Sequence, residues 1–165
     1  MGDGGSRGIG DSLLEAFLLT WEMYRDAIEG IPADHWRAGD IDYLIPSRLV
    51  LHAIEAVDGY FSQPDGFTPG YRFDTGRWDA TPVERLPSKD QARAYLQEVR
   101  EKTEEWLGSL DDSDLLSPET EYPWTGGTLL GRALYALAHS RQHLGEVNAE
   151  LRRRGLPRVR WRTFR

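Results

Sequence analysis

Four stretches of the chain carry apolar residues three and four positions apart, and proline and glycine break every stretch between them. That alternation leaves little room for anything but packed helices. The first run, 12–29, follows Asp11 as a candidate N-cap, carries the stripe Leu14, Phe17, Leu18, Trp21, Tyr24 and Ile28, and stops at Gly30 and Pro32. The second, 46–61, opens on Pro46, a suitable first-turn proline, with Leu49, His52, Ala53, Ala56 and Tyr60 along one stripe. Ser88 caps the third, which runs to 110, with Gln91 at the capping-box position and Ala92, Leu96, Val99, Thr103 and Trp106 as its stripe. Thr128 opens the fourth, 129–154, and Gly155 and Pro157 end it. The pattern predicts an all-α protein built as a four-helix bundle.

Between the second and third runs lie 26 positions, 62–87, rich in proline and glycine. A loop of that length is unusual in a compact domain and is often functional. It also lets the next helix restart in the same direction, where a short loop forces an antiparallel neighbour. A glycine-rich opening, 1–10, reads as a flexible tail, the body spans 11–157, and a basic tail occupies 158–165.

The 165 residues contain no Cys, so a metal site here uses nitrogen and oxygen ligands and no disulfide forms. Net charge is -7 and the pI about 5.1, which makes nucleic acid a poor default partner. Seven Arg and no acid fall within 152–165. Pairing with the acidic body, helped by the dipole at a helix C-terminus, is the favoured reading of that run over a phosphate or RNA contact. No apolar run approaches a membrane span of roughly 20 residues. No basic segment followed by an apolar core opens the chain, so a cytoplasmic protein is expected.

His139 and His143 stand four apart on the fourth run, which puts both on one helix face. His52 lies on the second run, flanked by Ala53 and Ala56, while Ala136 and Ser140 keep the fourth helix slim beside its own pair. Each neutral imidazole has a donor and an acceptor to satisfy, so burying three without a shared partner is costly. A shared divalent cation resolves that cost and leaves a coordination position open. Packed core histidines are the plainer alternative. Glu55 and Glu146, three positions after His52 and His143, are candidate second acceptors or added ligands, or simply solvated acids. His35 falls in a turn and is left out of the site. HExxH is absent, and no Glu lies three positions before any of the three histidines, so neither a zincin nor a di-iron bundle is supported. Trp21, Tyr60, Trp124 and Tyr135 are candidates to line a pocket or to fill core.

Leu51-His52-Ala53 on the second helix, His139-Ser140-Arg141-Gln142-His143-Leu144-Gly145-Glu146 on the fourth, and the run from Leu151 onward through Gly155-Leu156-Pro157 resemble the DinB/YfiT-like family. The resemblance implies an up-down-down-up bundle with a long crossover between the second and third helices. It implies a histidine triad for zinc, nickel or a similar ion, onto which His52, His139 and His143 map. It also implies a homodimer and a small-molecule substrate. Relatives include S-transferases dependent on a low-molecular-weight thiol and a mycothiol-dependent isomerase, and Glu146 stands where relatives often have Gln.

Two functions follow as expectations. In the first, the protein is a metal-dependent transferase using a low-molecular-weight thiol, since a coordinated thiol is deprotonated and nucleophilic. A hydrolase is the variant in which water takes the thiol's place. In the second, the chain is a non-catalytic metal-binding or stress-associated bundle. Its support is the lack of an evident acid, base or nucleophile beside the triad.

Overall fold

A computed structural model describes residues 8–70, 72–74 and 76–163. Among these residues there are six α-helices and no strand: α1 (Ile9–Gly30), α2 (Ala33–Trp36), α3 (Pro46–Tyr60), α4 (Lys89–Gly108), α5 (Asp112–Leu115) and α6 (Leu129–Arg153). One isolated antiparallel bridge joins Pro118 to Thr128. The all-helical expectation holds. Most of the expected opening tail, 1–7, lies outside the described residues.

Local signals set most helix ends. Ser88 accepts the amide of Gln91 at 3.2 Å and the Gln91 side chain accepts the amide of Ser88 at 2.8 Å, which completes the capping box. Thr128 caps α6 through the Gly131 amide. At its other end Gly155 has φ +70 and the Leu156 amide reaches back to the Leu151 carbonyl at 2.8 Å, so glycine is required where the chain turns left-handed. The start of α1 differs from expectation. It begins at Ile9, because the Ile9 amide donates to the Asp112 carboxylate at 2.8 Å. Asp11 accepts the Gly8 amide from inside the first turn and is not the N-cap.

The buried stripe of α1 is Leu13, Phe17, Trp21, Tyr24 and Ile28, joined by Met23 and Ala27, whereas Leu14 and Leu18 are only half-buried. Helix α3 is buried nearly all round. Leu49, Val50, Ala53, Ile54 and Val57 fill the core, and His52, Ala56 and Tyr60, four apart, form a half-buried line at its edge. That corrects the expectation that His52 sits within the core stripe.

Named contacts fix how the long helices meet. Lys89, at the start of α4, donates to the carbonyls of Glu29 and Ile31 at the end of α1. Trp36, ahead of α3, donates to the Pro87 carbonyl ahead of α4 at 2.8 Å, and Phe61 stacks on Trp106 where the same two helices finish. Arg132, early in α6, reaches the Tyr60 carbonyl at the end of α3. Tyr24 of α1 donates to the Ser140 carbonyl of α6 at 2.7 Å.

The loop segment after α3 is tied down by Arg48. Its guanidinium is almost wholly buried and donates to the carbonyls of Asp42, Trp78 and Thr81 and to the Asp42 carboxylate. A buried cation with four of its five N–H donors in use is a rigid anchor, and this one holds the backbone of Trp78 against α3. The C-terminal arginines fold back as the acidic body invites. Arg162 makes a two-pronged pair with Asp26 at 2.7 and 2.9 Å, and Arg153 and Arg154 both reach Glu150. No helix among the described residues is long and apolar enough to cross a membrane.

Candidate metal centre

The 3.6-residue repeat of α6 stacks His139 and His143 one turn apart, and α3 brings His52 against both. One ring nitrogen from each lies within 4.8 Å of the others. The Nε2 atoms of His139 and His143 are 3.2 Å apart. Three nitrogens at about 2.0–2.1 Å from one tetrahedral ion stand about 3.3 Å from each other. The helical pair already has that separation, and His52 offers a ring nitrogen within 4.8 Å of both.

Hydrogen bonds decide which nitrogens face inward. Glu146, three positions along α6, accepts from His143 Nδ1 at 2.7 Å, which leaves the His143 Nε2 lone pair pointing to the cluster. His139 Nδ1 is buried with no partner. Without a cation, one Nε2 can satisfy the other only as a donor, and His139 Nδ1 is then a buried acceptor with nothing to accept. With a cation, both Nε2 lone pairs have a common partner, while His139 Nδ1 carries the ring proton and is equally unpaired, so the Nε2 atoms and not Nδ1 carry the argument. The donor set of three neutral imidazoles suits zinc, nickel or copper.

Two of the rings, His52 and His139, are held neutral. Burial first, then the nearby imidazoles of His143 and His139, push His52 down to about 3 against the pull of the Asp79 carboxylate. Burial and His143 push His139 down to about 4 against Glu146. Neutral imidazole is the form that ligates metal. Trp78 covers the cluster, its ring stacked on His52 at 3.9 Å and 16°.

Beside His52 and His139 a cavity of about 340 Å³ follows α3 past Ala56 to Gly59. Tyr60, Phe67, Trp78, Tyr122 and Trp124 wall it, and Glu55 is its buried carboxylate. Burial pushes the Glu55 carboxyl up, against the Gly70 amide that donates to it and with the help of the nearby Asp58 charge. A larger groove of about 440 Å³ between α1 and α4 is lined by arginines already paired to Glu22, Asp90 and Glu104. It has no comparable set of converging groups.

The three expected histidines are thus brought together, and Glu146 is beside them. Glu55 is not a ligand, because its carboxylate turns into the cavity and toward Gly70. Of the candidate pocket aromatics, Tyr60 and Trp124 line the cavity. Tyr135 stands behind, edge-on to Tyr60 and parallel to His139 at 6.4 Å. Trp21 does not belong there; it is 1% exposed in the core and donates to Thr103. Sequence reasoning missed Phe67, Trp78, Tyr122 and Arg48. The signal for the first three was aromatic density within proline- and glycine-rich loops, where no periodicity assigns a face. His35 pairs only weakly with Asp34, at 4.0 Å.

The chain matches the family model described as the DinB superfamily over residues 16–147, a span that contains all three histidines and both loops over the cavity. No curated protein and no solved structure gives a match.

Proposed function

The chain belongs to the DinB superfamily, and from that premise we propose that it is a divalent-metal protein whose ligands are His52, His139 and His143. The observation that carries this is the pair of Nε2 atoms 3.2 Å apart, with a ring nitrogen of each of the three histidines within 4.8 Å of the others. Zinc or nickel suits the donor set. The family match falls inside the domain read at 11–157, and the contacts between helix ends support an up-down-down-up bundle. In it α1 opposes α4, α3 and α4 run side by side, and 61–88 is the long crossover.

The activity that fits this site best is transfer through a low-molecular-weight thiol. A bound divalent ion supplies the positive charge that keeps a coordinated thiol ionised at neutral pH. The residues of the chain do the rest. The Glu146 carboxylate holds the His143 tautomer and ring orientation. Trp78 packs over His52 and keeps water from that side. The aromatic cavity beside His52 and His139 gives a second reactant a place to bind. No Cys exists to serve as an internal nucleophile, which agrees with a thiol brought in from outside.

Metal analysis of protein purified without chelator tests the site. We expect about one divalent ion per chain in the wild type and none in His139→Ala. A wild type without stoichiometric metal overturns the ligand assignment and the transferase with it. If metal is present, thiols are screened with a generic electrophile. Conjugation lost in His52→Ala supports the transferase, and its absence across the screen favours a non-catalytic metal-binding bundle.

A further inference from the structure

The cavity walls carry a second piece of chemistry. Tyr60 and Tyr122 meet at 5.4 Å and 72°, and Tyr122 and Trp124 at 5.6 Å and 88°. Rings at near right angles enclose a space where a flat stack would fill it. The Trp124 indole N–H donates to the Tyr60 hydroxyl at 3.3 Å and pins one corner. Phe67 and Trp78 close the other sides. The electron-rich faces of such rings attract cations.

The charge lining the cavity points the same way. Its only charged side chain among the described residues is Glu55, 4% exposed, and no Lys or Arg lines it. The nearest guanidinium with a ring contact, Arg132, lies over Tyr122 at 4.7 Å and is neutralised by Glu119 and Glu121. Away from the imidazole end, an anionic ligand therefore finds no counter-charge here, and a cationic one finds both a carboxylate and aromatic faces. From His52 to Gly59 the cavity follows seven residues of α3, about 10 Å. A charged group at the Tyr122 and Trp124 end can thus sit well apart from the imidazoles.

We propose that this site takes a small molecule bearing an ammonium group, seated among Tyr60, Tyr122 and Trp124 with Glu55 as its counter-charge, its other end reaching toward the three imidazoles. This rests on reading the histidines as a metal centre that opens into the cavity, but the ammonium contact itself does not use the ion.

The test is a tryptophan-fluorescence titration of the full chain with choline and with its neutral isostere 3,3-dimethylbutan-1-ol, on chelator-stripped and on zinc-loaded protein. Choline is expected to saturate, at about tenfold lower concentration than the isostere, in the stripped protein as well. Glu55→Gln should remove most of that preference while the isostere binds as before. Trp124→Leu, at a residue 62% exposed and so of little consequence for folding, should weaken choline severalfold. Equal binding of the two probes overturns the proposal in favour of a plain apolar pocket, and a failure of choline to saturate overturns it outright. Saturable choline binding to a protein that proves metal-free upholds the cage and sinks only the metal reading.

Discussion

Two polar clusters sit on α3 less than two turns apart, and they differ in how fully they are satisfied. Asp58, facing α4, accepts from the Tyr95 hydroxyl at 2.6 Å and pairs with Lys102, which also donates to Ser62. Every strong group there has a partner of opposite role, as a structural cluster needs. His52, facing α6, meets two more imidazoles whose Nε2 atoms crowd each other, with one ring nitrogen orphaned. Burial alone does not separate the two clusters. Completeness does: one is closed within the chain, and the other has room for something the chain does not supply.

That contrast is breakable, and the largest effect is expected on the closed side. Asp58→Ala leaves Lys102 without its pair and should destabilise the fold by about 3 kcal/mol, the low end for a broken buried pair because Lys102 is one-third exposed. His139→Ala in metal-free protein should cost less than about 1 kcal/mol, since it removes an unsatisfied group. Chemical denaturation of both variants checks the pair, and a His139→Ala loss as large as that of Asp58→Ala would erase the distinction.

Next in size is the response to metal. A divalent ion at about 100 times its dissociation constant should stabilise the wild type by about 2.7 kcal/mol. The shift in melting temperature should reverse on adding chelator and be missing in His139→Ala. Glu146→Gln should be milder: it weakens the hydrogen bond that orients His143, so metal affinity should fall by about 10- to 100-fold with little change in the stability of the metal-free protein. Competition with a chromogenic chelator reads that difference.

The gentlest test is pH. His52 and His139 titrate at about 3 and about 4 in the fold, below the 6.5 of a free imidazole. The unfolded chain therefore binds more protons between those values. Stability from the neutral cluster is complete above about pH 6.5 and is lost as pH falls toward 4 and then 3. Glu119 and Glu150 work in a lower window. Burial pushes Glu119 up, but Arg132 and the amides of Tyr122 and Glu121 outweigh it, and Arg153 with Arg154 outweighs burial at Glu150. Both are held at about 2, so their contribution goes only below about pH 4.5. Denaturation midpoints of metal-free wild type and His52→Ala between pH 7 and pH 4 should diverge above that acid limb. Parallel curves would mean the imidazoles are not buried neutral.

Much of this contrast was readable along the chain. Capping at Ser88 and Thr128, the stop at Gly155 and the i, i+4 pairing of His139 with His143 all depend on neighbours within a turn or two. The errors share one cause. Ile9 begins α1 because of an acceptor at Asp112. Trp78 reached His52 because Arg48 holds its backbone. Each partner lies tens of positions away, where spacing carries no signal.

Helices and their faces are consequences of bonds between residues three and four apart, and so the amino-acid order alone determined them, including which imidazoles share a face. What stands across from a face depends on how helices and loops pack over long distances in the chain. Only the tertiary structure decided that His52 joins the pair on α6, that Glu146 faces its ring and Glu55 does not, and that loop aromatics wall the cavity.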